Sequence, residues 1–213
     1  MSVPAISVLM ATYNTPLSLV QRAVKSVLSQ DIQDFELLVI DDGSQITNSC
    51  ALLRYLSAHE DQVSYLRHQN TGQAAAINGA IPYCRGQYVT IIDADDAYKP
   101  NHLSACLRAI EGADLIASTT EIIAEKETDY YVPDRHDPRR LVHIDDCIAF
   151  ATLFGKKEIF VETRFKNMYA ADAHFYERVS KRYKVKKLNL RTYIYYRNIP
   201  NSICRQVQAQ HTR

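Results

Sequence analysis

A mostly parallel α/β sheet flanked by helices, with a less regular C-terminal third, is the fold class this sequence predicts. Three observations carry that reading. Short β-branched, apolar runs alternate with stretches of helical periodicity through the first half of the chain, the pattern of a parallel sheet with crossover helices. Each apolar run ends in a polar cluster: Thr12-Tyr13-Asn14, then Asp41-Asp42-Gly43-Ser44, then Asp93-Ala94-Asp95-Asp96. Three segments would therefore converge on one rim of one sheet, the rim where open α/β sheets place their ligands.

Taken in order, Ala5 to Asn14 begins as a buried strand and ends in turn residues. Leu19, Val20, Ala23, Val24, Val27 and Leu28 recur at helical spacing and predict a helix from Leu17 to Ser29. Phe35 to Ser44 reads as a second strand and Cys50 to Ala58 as a helix. Val63 to Arg67 reads as a short strand, Gly72 to Ile81 as a small-sided helix, and Tyr88 to Ile92 as a fourth strand. Beyond Pro100, Asn101 to Glu111 reads as helical and Leu115 to Ser118 as a strand. Glu121 to Arg140, polar and interrupted by Pro133 and Pro138, reads as a loop or hairpin. Ile144 to Leu153 and Ala170 to Tyr183 read as helices, and Val185 to Tyr196 as strands. No repeat or low-complexity linker divides residues 1–213, which read as one domain.

Composition narrows the function classes. A net charge of +1 argues against a nucleic-acid binder. The seven Lys/Arg from Arg178 to Arg191, with no acid among them, could meet phosphates or an anionic membrane surface, or form a solvated helix face. Five dispersed cysteines without a CxxC pair point to reduced thiols rather than disulfides or zinc. With no signal-peptide pattern and no run of ~20 apolar residues, the expectation is a cytoplasmic protein, with peripheral contact at the inner membrane face left open. His102, His136, His143 and His174 form no ligand-spaced pair and read as surface or capping residues. Neither GxGxxG nor GxxxxGK[ST] occurs, which disfavours dinucleotide-dependent dehydrogenases and P-loop NTPases.

The tetrad from Asp93 to Asp96 carries the chemistry. Three carboxylates in four residues at a strand exit repel one another, and oxygen-rich sites of this kind suit Mg²⁺ or Mn²⁺. The plainer alternative is an acidic turn with capping aspartates.

SVLMATYN, SVLSQDIQDFELLVIDDGS and QNTGQAAAINGAIPYCRGQYVTIIDADD together resemble the inverting family 2 glycosyltransferases of the GT-A fold, a Rossmann-like architecture, from about Ile6 to Leu103. The resemblance implies metal-dependent transfer of a sugar from a nucleoside-diphosphate sugar, UDP before others, to an acceptor hydroxyl. It makes residues 1–103 the nucleotide-sugar and metal half and residues 104–213 the acceptor half; the acceptor itself is not named by it. Carried over residue by residue, Tyr13 stacks on the base between Thr12 and Asn14, and Asp42 accepts from a uracil-type imide. Asn70, Gly72 and Asn78 line the donor, and Asp93, Ala94 and Asp95 form the D-x-D, with Asp95 the firmest ligand of Mn²⁺ or Mg²⁺. Asp172 matches the general base at the start of a helix.

This chain departs from the family pattern at three places. Ala171 stands where an acid usually precedes the base, and Ala76 and Ile77 where a basic residue precedes Asn78. Ile199 replaces a histidine in the YYRNIPNSIC segment, where Arg197 and Ser202 match and Arg197 would contact phosphate. Unless Arg197, Arg205 or another base substitutes, the diphosphate lacks cationic help. A catalytically weak or silent nucleotide-sugar-binding module or subunit is therefore the alternative reading. A sugar-phosphate nucleotidyltransferase is disfavoured, because MATYNTP is not the Gly-rich basic loop that class carries after its first strand.

Overall fold

The structure, a computed structural model, describes residues 3–137 and 139–197. Ile6–Thr12 (β1), Phe35–Asp41 (β2), Val63–Arg67 (β3) and Tyr88–Ile91 (β4) are the four parallel strands the sequence predicts. Between them run helices Leu17–Leu28 (α1), Ile46–Leu56 (α2) and Gln73–Ala80 (α3). Ala97–Tyr98 (β5) follows the carboxylates and His102–Ala109 (α4) follows it. Leu115–Ile123 (β6) leads to an antiparallel pair, Tyr131–Pro133 (β7) and Leu141–His143 (β8). Leu153–Lys156 (β9), Lys157–Thr163 (α5), Ala171–Ser180 (α6) and Val185–Tyr196 (β10) complete the described chain.

The large sheet runs β3-β2-β1-β4-β9-β6-β10-β5, with β9 antiparallel to both neighbours and β5 antiparallel to β10. Both of its faces are covered. Ile6, Val8 and Met10 pack with α1, whereas Leu9, Leu38 and Ile40 pack with α3 and the aromatic residues of α5 and α6. Double burial explains the nearly unbroken apolar runs of β1 and β2. Strand order reverses between β2 and β4 on either side of β1, and the exits of all three lie at that crevice.

Three expectations need correction. Ile144 to Leu153 is not a helix; it forms two short 3₁₀ turns, Ile144–Asp146 and Phe150–Thr152, before entering β9. The slot between β4 and β6 needs a strand to pair both ladders, and that tertiary demand overrides the helical spacing of Ile144, Ile148 and Ala151. The basic run from Arg178 to Arg191 is only partly helical, because α6 ends at Ser180 and the run continues through a turn onto β10. Arg182 bonds Glu162 and Lys186 bonds the Glu111 carbonyl. His102 is buried, stacked on Tyr98 with ring centres 3.9 Å apart and bonded to Thr192 at 2.8 Å. Burial pushes its imidazole down to about 3, so it stays neutral.

Beneath α6, Phe175 is fully buried against Phe165 and Phe160, with ring centres 4.2 and 5.3 Å away. A Phe175→Ala variant is expected to lose about 3–5 kcal/mol of stability, measured by urea unfolding. A loss below about 1 kcal/mol would mean that this aromatic stack does not hold α6 in place.

Candidate active site

The exit of β2 is built by two aspartates with different tasks. Asp41 is fully buried and accepts from Ser49, from Tyr65 at 2.6 Å and from the Ser44 amide at 2.8 Å. Burial pushes its carboxyl up, but these hydrogen bonds more than offset it and hold the group below the usual range. Asp42 takes four donors: the Thr71 amide at 2.8 Å and hydroxyl at 3.3 Å, the Gly72 amide at 2.9 Å and the Asn70 side chain at 3.2 Å. An ionised carboxylate offers about four lone-pair sites, and Asp42 is 3% exposed. Asp42, expected to meet a uracil imide, thus has its lone pairs engaged by the loop after β3. Gly43 and Gly72 make that close approach feasible. Both have positive φ, and a Cβ on Gly43 would come 2.5 Å from the Asn70 nitrogen.

The neighbouring donor-site expectations sort by exposure. Tyr13 is 55% exposed at the mouth of the crevice, a free aromatic face. Asn14, at φ 51°, accepts from the Gln45 amide at 2.8 Å and donates its own amide to Ser44 at 2.9 Å, tying the exits of β1 and β2 together. Thr12 is buried and contributes its carbonyl, which accepts from the Asp42 amide at 2.9 Å. Asn78 does not line the crevice. Its side chain donates to the Phe165 carbonyl at 2.7 Å and accepts from the Phe165 amide at 2.9 Å, clasping the chain ahead of α6. Ala76 and Ile77 are sealed in the core at 0% exposure, so a cation there would be buried.

The carboxylates at the exit of β4 separate likewise. Asp96 is buried, accepting from the Tyr193 hydroxyl at 2.7 Å and the Tyr196 amide at 2.8 Å, and so anchors β10. Ala94 is a core spacer between two half-buried aspartates, Asp93 and Asp95. Gln73 donates to Asp93 at 2.6 Å. Burial raises Asp93 to about 7, with the charges of Asp95 and Asp172 adding to the rise. Asp95 is raised too, by burial, partly offset by its own backbone and by Arg22. Arg22, which sequence reasoning missed, donates to the Asp95 carbonyl from α1.

Asp172, distant in sequence, lies near enough for its charge to act on Asp93. It is the second residue of α6, which begins after Ala170, a non-glycine residue held at φ 53°, the kind of strained backbone found where a functional group must be aimed. Its carboxylate accepts from the Ala173 amide at 2.8 Å and the Phe150 amide at 3.2 Å. Burial nevertheless lifts it to about 6. Ala171 is buried beneath the helix, which leaves no room there for an acid.

Arg197 does not take up the phosphate position expected for it. It is buried, and its guanidinium donates to the Asp129 carbonyl at 3.0 Å and the Tyr131 carbonyl at 3.4 Å, holding the approach to β7. Ile199, Ser202 and Arg205 lie outside the described residues. A cavity of about 520 Å³ opens at the opposite ends of the strands, between Tyr88, Arg108 and Lys184. Its Asp114 and Lys156 pair at 2.7 Å, and the carboxylate cluster is on the other rim.

Among the described residues no group of three His, Cys, Asp or Glu side chains could hold a metal alone. Two half-desolvated carboxylates, Asp93 and Asp95, are the donor set a hard divalent cation takes when a phosphate supplies the remaining ligands, so they fit Mn²⁺ or Mg²⁺. No helix of the described residues is long and apolar enough to cross a membrane.

Residues 7–188 match the family model described as Glycosyl transferase family 2. Over 106 residues the chain is 41% identical to an Escherichia coli (strain K12) protein named as a colanic acid biosynthesis glycosyl transferase, covering 49% of this chain and 37% of the relative. The chain spans less than half the length of the sequence relatives it matches. Among solved structures, Mannosyltransferase PcManGT from Pyrobaculum calidifontis, in complex with GDP-Man and Mn²⁺, superposes with a TM-score of 0.74 at 19% identity, covering 99% of this chain and 62% of that one. S. aureus TarS 1-349 in complex with UDP-GlcNAc superposes at 0.70 and 17% identity, covering 90% of this chain and 58% of that one. The curled α/β sheet is thus the GT-A fold.

The raised Asp93 has a testable consequence for the metal-free protein. A carboxyl at about 7 when folded, against an ordinary 3.8, binds protons that the unfolded chain has already released. Its contribution to stability is therefore present at low pH and lost as pH rises from about 4 to about 7. Asp93→Asn, which keeps the acceptor for Gln73, is expected to raise the melting temperature in EDTA at pH 7.5 and to flatten this slope. An unchanged melting temperature at pH 7.5 would show that Asp93 carries no such burial penalty.

Proposed function

Because the chain belongs to glycosyl transferase family 2, we propose that it moves a sugar from a nucleoside-diphosphate sugar to an acceptor hydroxyl with inversion at the anomeric carbon. One observation carries the reading: Asp172, from the acceptor half, is within electrostatic reach of Asp93 on the D-x-D. A base and a donor-binding carboxylate pair share one site. Residues 1–103 supply the donor side and residues 104–213 the acceptor side.

In this reading Tyr13 offers its exposed ring to the base, and Asp42 shapes the loop beside it. Asp93 and Asp95 would hold Mn²⁺ or Mg²⁺ with the diphosphate oxygens, and the cation would neutralise charge on the departing nucleoside diphosphate. The acceptor hydroxyl attacks from the face opposite the leaving group. Its proton passes to the Asp172 carboxylate as the new C–O bond forms, and the electron pair of the broken bond leaves on the diphosphate. A carboxylate raised to about 6 remains ionised at neutral pH yet accepts a proton more readily than an ordinary one. The backbone amides of Phe150 and Ala173 fix its orientation.

UDP is the proposed nucleotide, as in the TarS complex with UDP-GlcNAc, with the Asp42 turn, bonded to the Thr12 carbonyl next to Tyr13, as the edge that meets the base. The parent is expected to bind UDP more tightly than GDP or ADP in a calorimetric panel with Mn²⁺, and equal affinities would remove the uracil preference. Asp42→Ala is expected to weaken all three together and to lower the melting temperature, because it releases the 70–72 loop. Asp172→Asn is expected to leave UDP and Mn²⁺ binding intact while lowering turnover by about 10²–10⁴-fold. Release of UDP from UDP-sugars, with and without candidate acceptor glycans, supplies the readout. A parent that binds UDP-sugars but never turns them over would favour the silent binding module, and a retained anomeric configuration would overturn the inverting assignment.

A further inference from the structure

One face of α1 is polar at intervals of four residues, and each of its positions engages the chain that follows the carboxylates. Arg22 donates to the Asp95 carbonyl. Ser26 accepts from the Tyr98 amide at 3.0 Å through a hydroxyl that itself donates to Ala23 at 2.7 Å. Gln30, buried just past the end of the helix, donates to the Lys99 carbonyl at 2.8 Å and accepts from the Leu103 amide at 2.9 Å. Residues 95–103 are thus laid along α1 as along a ruler, since positions four apart share a helix face.

Arg22 is the unusual member. A carbonyl contact alone would be served by a neutral donor, as at Gln30. Its guanidinium carbon lies 3.6 Å from the centre of the Tyr196 ring, the geometry of a cation–π contact. Tyr196 in turn donates its amide to Asp96. The guanidinium is therefore held between the Asp95 backbone and the end of β10, with its Nε buried and unpartnered. It brings positive charge to a rim carrying Asp93, Asp95, Asp96 and Asp172, and to the Asp95 backbone directly. Where the family pattern supplies a cation, this chain has Ala76 and Ile77, both in the core, and in sequence Ile199.

We propose that Arg22 is the positioning residue of the donor site: it sets the Asp95 backbone so that the carboxylate meets the cation–diphosphate pair, and it adds fixed positive charge at the D-x-D. The inference rests on the reading of Asp95 as a metal ligand of a nucleotide-sugar site. Ser26 and Gln30 place the loop, and Arg22 tunes it.

The test is calorimetric titration of UDP, GDP and ADP into the parent, Arg22→Gln and Arg22→Lys, each in Mn²⁺ and in EDTA, with melting temperatures alongside. The parental gain in nucleotide affinity from Mn²⁺ is expected to shrink about tenfold in Arg22→Gln, the scale of losing one charge-assisted contact. Arg22→Lys should recover most of it. Affinity in EDTA should change less than about twofold in both, a selectivity that general loosening of the fold does not produce. Arg22→Gln with the full parental gain overturns the inference alone. So does a parallel fall of metal-free affinity and melting temperature in both variants, which would make Arg22 a packing residue. A parent whose affinity for every nucleotide is indifferent to Mn²⁺ overturns the metal-site reading and this inference with it.

Discussion

Four carboxylates gathered at one rim of a sheet repel one another and resist burial, and the structure is organised around containing them. Each is handled by a different device. Asp96 is bonded by Tyr193 and Tyr196 and becomes part of the core. Asp93 is left half-buried with a single amide donor from Gln73 and is pushed to about 7. Asp95 has Arg22 against its backbone. Asp172 has two backbone amides at the start of a helix, where the macrodipole favours negative charge. Asp93 and Asp95 are the groups left short of partners, and the proposed cation would supply what they lack.

Holding these groups in register falls to contacts between segments remote in sequence. Asn78 clasps Phe165 in both directions across 87 residues. Phe165 and Phe175 stack beneath α6, so the helix carrying Asp172 is fixed to α3. On the other face of the sheet, α1 holds the loop that carries Asp95. Among the described residues, the N-terminal and C-terminal halves thus meet mainly through packing and side-chain-to-backbone bonds, with Lys99–Glu121 an ion pair across them. Solvent and ions screen such a frame less than they screen surface ion pairs.

The DDGS turn is held together from within. Asp41 and Asp42 stand where the pattern puts them, but both carboxylates are filled from within the protein. Their contribution is a shaped edge beside Tyr13. Asn14, Asn70 and Gly72 belong to the same edge, each engaged with a neighbouring strand exit.

Apolar periodicity by itself determined β1 to β4 and α1 to α3, because those elements alternate regularly and bury both faces of one sheet. It also determined which strand ends would carry carboxylates. Local pattern could not determine β5 and β9. The first has two residues and exists by pairing with β10; the second fills a slot whose walls are β4 and β6. Nor could it assign Asn78, Asp42 and Arg197 their tasks. A polar side chain reads alike in sequence whether its partner is a ligand or a distant backbone group. Only the folded chain decides which is nearer, and here the Phe165 backbone, the 70–72 loop and the carbonyls of Asp129 and Tyr131 are. Arg22 went unread for the same reason, since its partner at Asp95 lies 73 residues away.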